Sequence, residues 1–278
     1  MIKQAYKSKT LGLSPFIAVD ADENPKELIH FLDTVATTLT YKPKAYQVLK
    51  DGIQTGDSVL DAGCGSGYDF LSLAELVGQT GIVVGVDSSE KMLEEAQKHC
   101  QVLGLSVVQL FNADLHALPF SKEKFNGCRV DRVLQHVETP MEVLAELARV
   151  LKPNGIFVAS EPDWDAWVIH PSGDITKKIT EFKRDKNIRN GHIASDLPNL
   201  LDQLGFENIQ VFSVVDKITN FTLFTDFMYL VKYLDIMRNA NAITEEEIKS
   251  WLNMFKHYDQ EGIFFSSNTT SIIRGYKK

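Results

Sequence analysis

The sequence predicts an α/β fold, a mostly parallel sheet with helices on both faces, and three observations carry that expectation. The apolar run Val59-Leu60-Asp61-Ala62 meets three alternating glycines, Gly63, Gly65 and Gly67, and then a helix that should begin near Tyr68. A second β-branched run, Ile82-Val83-Val84-Gly85-Val86, ends in an acid, Asp87. Near-continuous apolar runs of this kind mark strands buried on both faces. Strand-like and amphipathic stretches then alternate down the chain, the rhythm of a sheet wound with crossover helices.

Each element has its own justification. Alternating glycines remove the Cβ atoms that keep a ligand off the main chain and permit positive φ in a tight turn. The dinucleotide pattern G-x-G-x-x-G would place its third glycine at position 68, which is Tyr68, so the spacing argues against a nicotinamide dinucleotide. Asp87 lies where such folds set a carboxylate against a ribose diol, since one carboxylate accepts from both hydroxyls. Ser88 and Ser89 predict the N-cap of a helix carrying Met92, Leu93, Ala96 and Cys100, with Gly104 as its stop. A third strand is expected over Val107–Phe111, followed by Asn112-Ala113-Asp114-Leu115, and a fourth over Phe125–Val130. Pro140 opens a helix from Thr139 to Leu151. Lys152-Pro153-Asn154-Gly155 then turns the chain into a fifth strand, Ile156–Ser160.

In this order and spacing the motifs resemble those of class I methyltransferases that use S-adenosylmethionine. The likeness is greatest to the small-molecule type found in ubiquinone and menaquinone biosynthesis, over roughly residues 45–165. The resemblance implies a Rossmann-like, seven-stranded, mostly parallel sheet. It implies a cofactor site built from Asp61, Gly63, Cys64, Gly65 and Gly67 around the methionine part, with Asp87 at the ribose and Ser88 and Met92 as further cofactor-binding residues. Ala113, Asp114 and Leu115 would sit at the adenine, with Asp114 reading its amino group, and Val130 and Asp131 at the cofactor's own amino group. Residues 1–54 would form a helical cap over the pocket, with Leu28, Phe31, Leu32 and Val35 at helical spacing and Tyr41 and Tyr46 near the methionine end. Residues 55–165 would form the cofactor-binding core.

The remainder, 166–278, departs from the quinone enzymes. Glu161-Pro162-Asp163-Trp164-Asp165-Ala166-Trp167 is expected to run off the carboxyl edge of the sheet, where ligands of open α/β sheets bind. A sixth strand is expected over Phe206–Phe212 and a closing strand only at Gly262–Tyr276. Helical insertions at about 166–190 and 221–261 would form a lid over the acceptor site and exclude water. Candidate catalytic groups are His136, Glu161 and Asp163, with His170 a further possible base. Candidate substrate-binding groups are Trp164, Trp167, Phe224 and Tyr229. The expected activity is in-line methyl transfer to an apolar or aromatic small molecule. A non-catalytic cofactor-binding protein and an aminopropyl transferase are the alternatives, the second lacking paired acids for a polyamine.

Composition narrows the field further. A formal net charge of −8 and the absence of a Lys/Arg-rich block exclude a nucleic-acid partner. Lys177-Lys178 to Lys186 is interrupted by Glu181 and Asp185 and reads as a solvated helix face. No stretch of about 18 apolar residues is present, and Met1–Tyr6 lacks a signal-peptide core, so no membrane span and a cytoplasmic location are expected. The 278 residues, 44% hydrophobic, suit one elaborated domain. Cys64, Cys100 and Cys128 are far apart, and neither C-x-x-C nor H-x-x-x-H occurs, so neither a metal site nor a disulfide framework is expected.

Overall fold

The computed structural model describes residues 19–21, 32, 34–35 and 38–278. The expected packing of Leu28 and Phe31 lies outside the described residues. Seven strands form one sheet: β1 (Ser58–Ala62), β2 (Ile82–Asp87), β3 (Val108–Asn112), β4 (Phe125–Asp131), β5 (Leu151–His170), β6 (Phe206–Ile218) and β7 (Phe265–Lys277). Their order is β3-β2-β1-β4-β5-β7-β6, with β7 antiparallel to both neighbours. The chain winds outward through β1, β2 and β3 and then returns to place β4 beside β1. The carboxyl ends of β1 and β4 therefore flank the crevice where an open α/β sheet takes its ligand.

Nine labelled helices cover the sheet: α1 (Lys42–Lys50), α2 (Phe70–Val77), α3 (Glu90–Leu103), α4 (Pro140–Val150), α5 (Asp174–Phe182), α6 (Ile193–Gln203), α7 (Phe221–Met228), α8 (Leu230–Asn239) and α9 (Glu245–Gln260). Strand alternation divides the core in two. Val59, Ile156, Val158 and Ile272 face one cluster with α1, α2 and α7–α9, while Leu60, Phe157, Ala159 and Ile273 face another with α4 and α6. Ser89 caps α3 by accepting from the Met92 amide, and Gly104 ends it in the left-handed region.

Three expectations are corrected. β5 does not stop at Ser160; Glu161, Pro162 and Asp163 stay in register with Ser271, Thr270 and Thr269, and pairing resumes at Val168 after a bulge holding Trp164–Trp167. The long β7 supplies the partner that keeps this segment in the sheet rather than off its edge. β6 likewise continues to Ile218 against the same strand. The helical insertion expected at about 221–261 opens not on one continuous helix but on two, broken at Tyr229, whose φ of 52° ends α7 and starts α8.

Candidate functional site

The glycine turn is sewn to the end of β2. The Gly63 and Cys64 amides donate to the Val86 carbonyl, and His99 Nδ1 lies 2.8 Å from the Ser66 carbonyl. Asp87 completes the brace: Oδ2 accepts from the Gly65 amide and Oδ1 from the Ser89 amide, both at 2.9 Å. Burial pushes the Asp87 carboxyl up, and these amides pull it part of the way back. All three glycines have positive φ, but for different ends. A Cβ on Gly63 would lie 2.4 Å from Val133 and one on Gly67 would lie 2.5 Å from the Phe70 ring. A Cβ on Gly65 would meet only Leu32, at 3.9 Å, so Gly65 is the position that leaves bare backbone open.

Beside the turn is a cavity of about 580 Å³. Of the residues expected to bind cofactor, Asp61, Gly63, Cys64, Gly65, Asp87, Ser88, Met92, Asp114, Leu115 and Asp131 line it. Gly67, Ala113 and Val130 are not in its wall; Val130 is fully buried in the core beneath it. Asp114 is mostly exposed at the rim and accepts from the His116 amide and ring.

Its floor is a charge network that sequence reasoning missed. Arg129 of β4, 2% exposed, reaches Asp61 at 2.7 Å, Asp69 at 2.9 Å and Asp131 at 2.5 Å. Lys42 of α1 binds Asp69 at 2.7 Å and Asp131 at 3.1 Å. Tyr41 donates to Asp131, and Tyr46 donates to Asp69. Burial pushes the Asp69 carboxyl up, but Arg129, Lys42 and the bonds from Lys42 and Tyr46 together hold it well below the usual carboxylate range. Three carboxylates against two cations leave one formal negative charge in the floor, which suits a cationic ligand group. The available signal was an arginine inside the otherwise apolar Gly127-Cys128-Arg129-Val130.

The N-terminal segment forms part of the wall through Val19, Leu32 and Val35. Asp20 holds it there: its carboxylate accepts from Ser89 Oγ at 2.5 Å and from the Glu90 and Lys91 amides at the start of α3. An acid suits that position because the helix N-terminus presents unpaired amides.

The candidate catalytic residues separate. His136 lines the cavity, but burial together with Arg132, Lys183 and Arg189 lowers its pKa to about 3, so the ring is neutral. Glu161 is fully buried outside the lining, and Oε1 accepts from the Val133 and Leu134 amides, fixing the loop that carries His136. Burial raises its pKa to about 8. Asp163 turns the β5 bulge by accepting from the Asp165 and Ala166 amides. Of the substrate candidates, Trp164 donates to Gln135, and Trp167 stacks on Phe224, which is fully buried beside Phe221 and Phe264. None of these three lines the cavity. The aromatic stripe therefore docks the inserted helices on the sheet. Tyr229 alone of the four packs at the cavity margin, against Val19 and Met92.

The Glu161 shift has a measurable sign. The folded state keeps a proton that the unfolded chain releases, so stability is full below about pH 4.5 and is lost as pH rises through about 8. Glu161→Gln keeps an acceptor for the two amides and is expected to flatten this decline, measured by urea unfolding across that window. An unchanged slope would mean that the carboxyl is ionised in the folded state.

Among the described residues no group of His, Cys, Asp and Glu is arranged to hold a metal, and no helix is long and apolar enough to cross a membrane. Residues 53–254 match the family model described as a methyltransferase domain. The chain is 36% identical over 279 residues to an uncharacterised 37.1 kDa protein in transposon TN4556 of Streptomyces fradiae, covering 98% of this chain and 76% of that protein. It is 38% identical over 109 residues to the demethylmenaquinone methyltransferase of Oceanobacillus iheyensis, covering 39% of this chain but only 46% of that one. The crystal structure of the YcgJ protein from Bacillus subtilis superposes with a TM-score of 0.60 at 18% identity, over 84% of this chain and 98% of that one. The site fits S-adenosylmethionine: open backbone at Gly65, a lone pair left on each Asp87 oxygen for a diol, and a floor with one surplus negative charge for an ammonium. With this fold, this cavity and these relatives, the chain belongs to the methyltransferase-domain family, and it is a class I methyltransferase with S-adenosylmethionine as its cofactor.

Proposed function

We propose that this methyltransferase acts on a small molecule with an apolar or aromatic body, and that the expected cofactor-binding residues of the cavity wall hold the cofactor in the roles expected of them. The observation that carries the cofactor roles is the Asp87 carboxylate bonded to the Gly65 amide at the mouth of an open glycine turn. When bound, S-adenosylmethionine supplies a methyl group already activated by its sulfonium. The chain's own contribution is to bind, orient and exclude water. Asp87 fixes the turn and offers its remaining lone pairs to the ribose hydroxyls. The Arg129 network presents its surplus charge to the methionine ammonium, and Met92 and Leu115 give an apolar bed for the adenine.

Two features support an apolar acceptor. Val19, Leu32, Val35 and Val133 give the cavity wall apolar surface. The partial match to a demethylmenaquinone methyltransferase points the same way. His136 is a poor base at neutral pH with a pKa of about 3. Alignment is then the main source of rate, and effective molarities on the order of 10⁵–10⁸ M show its capacity.

Calorimetric titration with S-adenosylmethionine and S-adenosylhomocysteine, with NAD as control, tests the site. Asp87→Ala is expected to weaken binding of both by about 1–3 kcal/mol, or roughly 5- to 150-fold. Unchanged affinity would remove Asp87 from the cofactor site.

A further inference from the structure

Charge is unevenly spread around the cavity. At the floor, Arg129 and Lys42 are held by three carboxylates, Asp61, Asp69 and Asp131, and the surplus there is negative. The stretch after β4 has the opposite sign. Arg132, the first residue past β4, and Arg189, between the π-helical turn Lys183–Asn187 and α6, both line the cavity. Among the described residues neither pairs with a carboxylate: Arg189 donates from Nη1 to the His136 carbonyl, and Arg132 Nη1 has no partner. A third cation stands behind them. Lys183 Nζ lies 5.4 Å from the Trp164 ring centroid and 4.7 Å from that of Tyr233, and burial and then Arg132 push its pKa down to about 7. His136, in the cavity wall, is pushed down by burial and then by Arg132, Lys183 and Arg189, which places all three cations near one ring.

The acids nearby do not cancel this charge. Asp131, next to Arg132 in the chain, is taken up by Arg129 and Lys42. Glu161 spends Oε1 on two loop amides and, with a pKa of about 8, is uncharged at neutral pH. Glu138 and Glu142 also line the cavity, but at the start of α4. Glu142 accepts from Thr139, and one turn further on Glu146 accepts from the Leu118 amide, so this helix end lies beside loop 114–118 at the expected adenine end. Backbone geometry gives a second observation. Arg132 has a φ of 61°, with its amide bonded to the Ser160 carbonyl. Residues other than glycine enter this region at a cost, and such strain clusters at ligand sites.

We propose that Arg132 and Arg189 bind an anionic oxygen group of the methyl acceptor, such as a carboxylate, carried on its apolar or aromatic body. The proposal rests on the reading of the chain as a small-molecule methyltransferase and adds the charge of its substrate. The space for that group is the cavity of about 580 Å³ that both arginines line. Its two ends differ in sign, so the cofactor's ammonium is drawn to the floor and the acceptor's anion to the arginines. Guanidinium groups suit the task because they give charge-assisted, fork-shaped bonds to the paired oxygens of one anion.

The test uses the full chain saturated with S-adenosylhomocysteine, with benzoate, benzamide and benzylamine as probes in ligand-observed NMR titration, one aromatic body carrying three different charges. Benzoate is expected to bind, benzamide about tenfold more weakly, and benzylamine more weakly still. Arg132→Gln and Arg189→Gln should each lower benzoate affinity by about fivefold or more and leave benzamide and S-adenosylhomocysteine affinity within about twofold. Arg189→Lys, which keeps the charge without the fork, should recover part of the loss. Failure of benzoate to bind, equal or tighter binding of benzamide or benzylamine, or unchanged benzoate affinity in both variants would each overturn the proposal. Equal loss of benzoate and benzamide would do so too, since it reports a damaged wall and not a charge contact. A fall in S-adenosylhomocysteine affinity in either variant would overturn it by assigning that arginine to the cofactor's own carboxylate. Absence of S-adenosylhomocysteine binding by the native chain is a different failure, that of the methyltransferase reading itself.

Discussion

Arg129→Met is expected to cost about 3–5 kcal/mol of folding stability, because it leaves buried carboxylates without the cation that compensates them. Arg129 touches Asp61, Asp69 and Asp131 at once, and Asp61 is itself 2% exposed. Burial already pushes the Asp61 carboxyl up to about 6 with Arg129 in place. Without the guanidinium, Asp61 would hold a proton in the folded state at neutral pH or drive the chain to unfold. Adding Asp61→Asn to Arg129→Met should therefore recover part of the loss, a coupling that a double-mutant cycle in urea isolates. Arg129→Lys retains the charge but not the fork that spans three carboxylates, and should fall between the two. A loss below about 1 kcal/mol for Arg129→Met would mean that the network behaves as a solvated surface pair.

Gly65→Ala should separate binding from folding. At φ +53° an alanine is strained by about 1–2 kcal/mol. Its methyl meets nothing nearer than Leu32 Cδ1 at 3.9 Å, so the fold should survive with a modest drop in melting temperature. The methyl nevertheless stands where the ligand approaches the main chain. S-adenosylmethionine affinity should fall roughly 10- to 100-fold, measured by calorimetry. Gly63→Ala is the contrasting control, since its methyl is driven to 2.4 Å from Val133 and should damage stability first. Undiminished affinity in the Gly65 variant would place the cofactor off the turn.

The parts legible in the sequence are those whose chemistry is local. The glycine turn, the acid closing β2, the serine cap and the glycine stop of α3 each follow from a few adjacent residues, and the sheet follows from repeating them. The charge network was not legible because its members come from β1, the turn, β4 and α1 and meet only in the fold. The length of β5 was hidden for a related reason: what keeps Glu161 to Asp163 in the sheet is β7, about a hundred residues later. An apolar stripe at helical spacing has the same pattern whether it faces a ligand or a sheet, so Phe224 could not be placed from periodicity. The break at Tyr229 leaves no compositional mark, since the residue in the left-handed region is neither the glycine nor the asparagine that usually signals it.

The tether at Asp20 carries a kinetic consequence. The same carboxylate that satisfies the first amides of α3 also lays Val19 along the cavity, so exchange of a bound molecule on that side is tied to fraying of one short polar clasp. Residence time would then be set by local opening, not by the total strength of the contacts beneath it. Such a clasp is electrostatic and partly exposed, so higher ionic strength should shorten residence without a matching change in the melting temperature of the sheet.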